Sequence, residues 1–148
     1  MNTNSKFQER NAVLATLDSA SVVASTVLTA YVPMSNFHGM AALVDIGVFG
    51  ASATVDVKLR QAQDAAGTGV KDIAGKAITQ LIAGSGNNRQ VIVECRTEDL
   101  DTNNGFAFVT LAVTVGTAAT QVCAWLMGVN PRFMPVSVFN QAGVAQLV

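Results

Sequence analysis

Strict alternation of apolar and polar side chains over residues 54–60 limits what this chain can fold into more than any other feature. The apolar positions are Val55, Val57 and Leu59, and the charged positions between them are Asp56, Lys58 and Arg60. Successive side chains of a strand point to opposite faces, so this segment predicts a strand with one buried and one solvated face. Such strands are typical of antiparallel sheets.

Further β-rich segments recur at short intervals, separated by turn residues. The predicted strands are residues 22–32, 39–49, 53–63, 74–82, 90–96, 106–115, 118–129 and 134–139. Gly50-Ala51-Ser52 predicts a hairpin turn, and Asn104-Gly105 is a strong turn dipeptide because both residues tolerate positive φ. The spacing predicts an all-β fold, a jelly-roll-like antiparallel β-sandwich of about eight strands with extended terminal arms.

Helix is scarce, and the two ends of the chain differ from its middle. Residues 9–17 are the best helix candidate, since Val13, Leu14 and Leu17 can share one face. Residues 71–80 are a second candidate, for which a strand is preferred. The 148 residues suit one domain. We expect an N-terminal arm at 1–18, the β-sandwich at 19–132 and a C-terminal tail at 133–148.

Residues 102–131 carry no charge, and residues 106–129 within them are long enough to cross a bilayer. Threonines throughout the segment and Gly116 near its middle instead favour two buried strands joined at Gly116-Thr117. We therefore expect no membrane association. The first residues lack a basic region followed by an apolar run, so no signal peptide is predicted. Cys95 and Cys123 lie in apolar runs, which favours buried thiols in a reducing cytoplasm over a disulfide.

Charge is too sparse for nucleic-acid binding and favours self-association. Charged residues make up 13% of the chain and the net charge is −1, which leaves no basic surface for a phosphate backbone. A monomer with so few charges has difficulty covering its surface, so a homo-oligomer is expected. We expect the interface to include residues of the two terminal segments and of the uncharged segment 102–131. The candidate interface residues are Phe7, Arg10, Trp125, Phe133 and Phe139.

The residues needed for catalysis are missing. The single histidine, His38, has no G-x-S-x-G partner motif, and nothing in the sequence places it beside Cys95 or Cys123 as a base for a thiol nucleophile. Zinc lacks ligands for the same reason. No glycine-rich loop has the spacing of a nucleotide-binding motif, so no cofactor is predicted and the chain is not expected to be an enzyme.

One loop partly matches a calcium site. Asp99, Asp101 and Asn103 repeat the first, third and fifth ligands of a calcium loop. However, Gly105 comes one residue late, and Thr110 stands where a bidentate glutamate is needed. We therefore predict a polar turn, in which these side chains hydrogen-bond to nearby backbone, and no metal site.

Four pieces of the chain resemble a known group of proteins. They are residues 40–64 (MAALVDIGVFGASATVDVKLRQAQD), residues 67–73 (GTGVKDI), residues 100–106 (LDTNNGF) and Asn130-Pro131-Arg132. Together they resemble small proteins from the structural gene clusters of tailed bacteriophages, over about residues 20–132. The resemblance implies a virion component, most like a capsid decoration (cement) protein, and it carries over no functional residues.

The same resemblance implies further expectations. The partner is the major capsid protein, the location is the outer capsid surface after synthesis in the host cytoplasm, and the oligomer is a trimer, because decoration proteins often occupy threefold positions. Two alternatives stay open. A tail or head–tail connector component would form a ring or tube, and a carbohydrate-binding β-sandwich is possible because jelly rolls also occur in lectins.

Overall fold

The structure is a computed structural model that describes residues 4–148. It contains one short helix, ten strands and four single-turn 3-10 helices in the described residues. The helix is α1 (Phe7–Arg10), and the strands are β1 (Ala12–Val22), β2 (Ser25–Leu28), β3 (Val32–Pro33), β4 (Phe37–Ile46), β5 (Thr54–Ala62), β6 (Lys71–Ala77), β7 (Leu81–Ile82), β8 (Arg89–Arg96), β9 (Phe108–Gly116) and β10 (Thr120–Pro131). The 3-10 helices are Ala83–Ser85, Thr97–Asp99, Thr102–Asn104 and Ser137–Phe139.

The strands form two antiparallel sheets. Sheet I has the order β1-β10-β4-β8. Sheet II has the order β2-β9-β5-β6, with β3 added beside β9 and β7 beside β5. The chain crosses between the sheets six times: from β1 to β2, β3 to β4, β4 to β5, β7 to β8, β8 to β9 and β9 to β10. A four-stranded and a six-stranded antiparallel sheet connected in this way form a jelly-roll sandwich, which confirms the fold class predicted from the sequence.

The core lies between the sheets and is almost entirely apolar. Val55, Val57 and Leu59 of β5 are each no more than 1% exposed, as their alternation predicts. They pack in one cluster with the inward residues of β9 and β10, such as Leu111 and Leu126. Burial at about 25 cal/mol per Å² of apolar surface is the main force that holds the two sheets together.

The uncharged segment folds as two strands, as expected. It forms β9 and β10, and Thr117, between them, has a positive φ of 69°. The two strands belong to different sheets, so each has one face in the core. Within residues 4–148, no helix is long and apolar enough to cross a membrane.

Several local predictions are wrong. Residues 9–17 are not a helix: α1 ends at Arg10, and the rest belongs to β1, because pairing with β10 outweighs the weak helical pattern. The segment 1–18 therefore includes the start of a sheet strand, and its first three residues lie outside the described part. Residues 134–139 form no strand but a 3-10 turn at Ser137–Phe139. The turn at Gly50-Ala51-Ser52 joins the two sheets and is not a hairpin.

Part of the C-terminal tail is attached to the edge of β1. The Val13 N–H donates to Asn140 Oδ1 at 2.7 Å, and the Gln141 N–H donates to the Val13 carbonyl at 2.8 Å. Val136 is fully buried, and its N–H donates to the Glu9 carbonyl. Main-chain groups that an edge strand would leave open are satisfied here by the same chain.

Candidate interaction surface

The outer face of sheet II is polar and carries paired charges. Lys58 Nζ lies 2.7 Å from Asp72 Oδ2, and Arg60 Nε lies 2.9 Å from Asp72 Oδ1. These hydrogen bonds, that from Lys58 above all, hold the pKa of Asp72 below its ordinary value. The alternation of β5 places the charges of Lys58 and Arg60 away from the core, so this face is adapted to water.

The outer face of sheet I has a different character. Trp125 of β10 is in register with Leu43 of β4, which is in register with Ile92 of β8. Trp125 is 43% exposed and Ile92 66% exposed. These three apolar side chains, which we call the Trp125 row, line a shallow cleft of about 400 Å³. The adjacent register row holds Met127 on β10, the buried Ala41 on β4 and the charged Glu94 on β8, so the uncharged surface continues there on β10 and β4 only.

A polar pair borders one side of the Trp125 row. Asp45 and Gln90 are in register with each other, and Gln90 Nε2 donates to Asp45 Oδ1 at 2.7 Å. Cys123 is in register with Asp45, and burial, with a smaller contribution from the Asp45 charge, raises the pKa of its thiol. The cleft is thus apolar in its centre and polar at its rim, as protein-binding surfaces usually are.

None of the other predicted interface residues lines the cleft at the Trp125 row. Phe7 is 68% exposed on α1 and lines a small cleft together with Leu147, and Arg10 ends the same helix, partly buried. Phe133 is 75% exposed. The ring of Phe139 packs edge-on against Phe37, with 6.0 Å between the centroids, so Phe139 contributes in part to the protein's own packing.

Sequence reasoning missed two members of the row, Leu43 and Ile92. Both lie in apolar runs, Ala41 to Val44 and Val91 to Val93, where no alternation distinguishes the face toward the core from the other face. The only signal for them is the register with Trp125, which requires the pairing of three strands distant in sequence.

The loop that partly matches a calcium site is stabilised by lysines. Lys76 Nζ lies 3.0 Å from Asp99 Oδ2, and Lys71 Nζ lies 2.5 Å from Asp101 Oδ2. The pKa of Asp99 is lowered by the Arg96 N–H and by Lys76, and that of Asp101 by Lys71 and Asn104. Among residues 4–148 no group of three or more His, Cys, Asp or Glu side chains could hold a metal ion.

The possible thiol nucleophiles are poorly placed for chemistry. Both cysteines are free thiols. Cys95 is 1% exposed, and burial raises the pKa of its thiol to about 12, so almost no reactive thiolate exists at neutral pH. His38 is exposed at the start of β4. The arrangement therefore provides no activated thiol.

Comparison with known proteins gives a resemblance of shape only. No protein-family model matches the sequence, and no curated protein matches it. A pilus protein of Bacillus endospore appendages is 12% identical, with a TM-score of 0.37, 88% of this chain covered and 99% of that one. A chain of Broad Bean Stain Virus is 10% identical, with a TM-score of 0.43 and coverages of 91% and 95%.

A chain of Triatoma Virus is also 10% identical, with a TM-score of 0.44, 93% of this chain covered and 72% of that one. At these scores and identities the likenesses do not assign the chain to a family.

Proposed function

We propose that this protein is a structural component of a phage virion, which binds the major capsid protein and stabilises the shell as a decoration protein. The observation that carries the proposal is the Trp125 row, an uncharged and exposed surface on one side of an otherwise ordinary sandwich. Residues 20–132 resemble tailed-phage structural proteins, and this resemblance suggests the major capsid protein as the partner of the surface. Bound copies would stabilise the capsid because they bind the assembled state in preference to the free subunits.

In this proposal Trp125 is the main anchor, since a large aromatic ring buried at the centre of an interface contributes more binding energy than its neighbours. The terminal segments contact neighbouring copies, the segment 1–18 through Phe7 and Arg10 and the segment 133–148 through Phe133 and Phe139. The copies form a trimer on the outer capsid surface, after synthesis in the host cytoplasm. Neither nucleic acid nor a membrane takes part.

The experiment measures binding of the purified protein to empty capsids assembled from the major capsid protein of the same phage. Trp125→Ala should weaken binding by at least about thirtyfold, as expected for an interface hot spot. Leu28→Ala is the matched control, because Leu28 is a similarly exposed apolar residue, 40% exposed, on sheet II. Equal binding of Trp125→Ala and wild type, or no binding of the wild type, would exclude the proposal. Rings or tubes of purified protein in electron micrographs would favour the connector role instead.

A second candidate is carbohydrate binding. One observation favours it: the exposed ring of Trp125 lies one register step from the hydrogen-bonded Asp45 and Gln90, and sugars bind to proteins through such a combination of a flat apolar surface and polar groups. A glycan array tests this candidate directly. Binding of a glycan that is lost in Trp125→Ala would establish it, and an array without any signal would exclude it.

A further inference from the structure

The four outer edges of the two sheets are not equally protected. In sheet I, β1 has two register shifts and is partly covered by the tail at Val13. In sheet II, β2 is only four residues long and β6 is interrupted by a register shift. The remaining edge, β8, pairs with β4 without interruption from Arg89 to Arg96. Long, regular edges are the ones that add further strands.

The hydrogen-bonding groups at the outer side of β8 can be assigned from the ladder. The N–H of Gly47, directly after β4, donates to the Gln121 carbonyl of β10. Main-chain groups of successive strand residues point to alternate sides, so those of the even-numbered β4 residues point toward β8. These even-numbered β4 residues pair with odd-numbered β8 residues. The main-chain groups of the even-numbered β8 residues therefore point away from β4. Arg96 confirms this, because its N–H donates to Asp99 Oδ2 and not to β4. The main-chain groups of Gln90, Ile92 and Glu94 therefore face outward, and no group in residues 4–148 hydrogen-bonds to them.

We propose that this edge binds a second copy of the same chain. The two β8 strands run antiparallel, with a twofold axis at Ile92, so that the two Ile92 residues exchange main-chain hydrogen bonds. Gln90 of each copy then pairs with Glu94 of the other. In this register every outward main-chain group of Gln90, Ile92 and Glu94 is satisfied in both copies. Such an interface is self-complementary, as twofold symmetry requires.

Charge and alternation select this register over its neighbours. A shift by one residue would place outward-facing groups opposite inward-facing ones and would set Arg89 against Arg96 of the second copy. A shift by two residues in one direction would pair Gln90 with Arg96, whose N–H is already occupied by Asp99. In the other direction it would pair Glu94 with Asn88, whose N–H already donates to the Gly47 carbonyl. With the axis at Ile92, no like charges stand opposite each other, and two β-branched apolar side chains meet at the centre.

The pairing also extends the apolar surface. Ile92 ends the Trp125 row at the edge of sheet I, so Ile92 of the second copy continues the row into that copy's Leu43 and Trp125. Two four-stranded sheets become one continuous sheet. The inference does not depend on the proposed virion role, since it uses only the edge and its register. If the copies also form the proposed trimer through their termini, the β8 contact joins two such trimers, and the purified protein is a hexamer.

The first test is the mass of the protein, measured by sedimentation equilibrium over a range of concentrations. Wild type should assemble into an even number of copies, and Ile92→Pro should halve that mass. Proline removes the outward N–H of Ile92, which no group of its own monomer uses, so an edge strand tolerates the change. Ile92→Val keeps the N–H and should keep the wild-type mass. Far-ultraviolet circular dichroism verifies that each variant is folded.

An odd number of copies in wild type, a single copy included, would overturn the proposal. So would a folded Ile92→Pro variant with unchanged mass. If Ile92→Pro does not fold, the charge variants described next decide the question without altering the main chain.

The second test examines the register. Gln90→Glu places a carboxylate opposite Glu94 of the second copy at two symmetric points, and it should raise the dissociation constant about fivefold or more. The double variant Gln90→Glu, Glu94→Lys should restore binding, because each new pair has opposite charges. Tighter binding of Gln90→Glu alone, or no recovery in the double variant, would contradict this register. Monomer stability is measured in parallel, because Gln90 also donates to Asp45.

Discussion

At the scale of single residues, Asp72 has the clearest electrostatic role on the polar face. Its carboxylate accepts from Lys58 on one oxygen and from Arg60 on the other. Because these cations favour the charged form, the pKa of Asp72 in the folded protein is below its ordinary value of 3.8. The resulting stabilisation is complete above that ordinary value and is lost as the pH falls through the lowered pKa.

We therefore expect Asp72→Asn to lower the free energy of unfolding at pH 7 by less than about 1 kcal/mol, since the side chain of Asp72 is 54% exposed and solvent screens the pair. Urea unfolding at pH 7 and again near pH 2 measures the effect. The difference between wild type and variant should shrink toward the acid pH, because the native carboxyl becomes protonated as the pH falls through its lowered pKa. A difference that persists there would show that packing, and not charge, is responsible.

Gly128 tests the fit of the aromatic packing beneath β10. A Cβ at this position would lie 2.6 Å from atoms of the Phe37 ring, which is itself buried and packed against Phe139. Gly128→Ala should therefore destabilise the protein by about 1–3 kcal/mol through overpacking. Gly143→Ala is the matched control, because a Cβ there meets nothing closer than 3.7 Å. Thermal unfolding of both variants decides the matter, and equal melting temperatures would refute the expectation.

At the scale of elements, the tail offers two valines in contrasting surroundings. Val136 is fully buried, whereas Val138, two residues later, is 76% exposed. Val136→Ala should cost about 2 kcal/mol of stability for the lost apolar burial, and Val138→Ala should be neutral within about 0.5 kcal/mol. Chemical denaturation of the two variants measures the difference. Similar losses, or none for Val136→Ala, would show that the tail does not pack on the sandwich.

Local patterns in the sequence predict most of the strands well, because burial on one face leaves a period of two in residues such as Val55, Val57 and Leu59. They fail at β1, where Val13, Leu14 and Leu17 share a helical face, although pairing with β10 makes the segment a strand. They fail again at residues 134–139, which have strand-like composition but no strand to pair with. In both cases the decisive interactions come from residues distant in the chain.

At the scale of the whole molecule, the jelly-roll class follows from strand spacing, but the membership of each sheet does not. The turn at Gly50-Ala51-Ser52 has the composition of a hairpin, yet it crosses from sheet I to sheet II. Strand pairing also decides which residues are neighbours. Trp125 could be proposed as an interface residue from the sequence, whereas its neighbours Leu43 and Ile92 could not. Their proximity exists only once β10, β4 and β8 have paired.

The buried thiol of Cys95 offers a way to measure how often the folded sandwich opens. In a Cys123→Ser variant, Cys95 is the only thiol, and burial protects it by excluding reagents and by raising its pKa to about 12. We expect a thiol-specific dye to label it at least about a hundredfold more slowly than it labels Cys123 in a Cys95→Ser variant, and faster as urea is added. Rapid labelling in native buffer would mean that the core is accessible. If labelling of Cys95 is slow, its rate reports how often the two sheets separate. The opening of the native protein can then be followed by the absorbance of the dye that reacts with this one thiol.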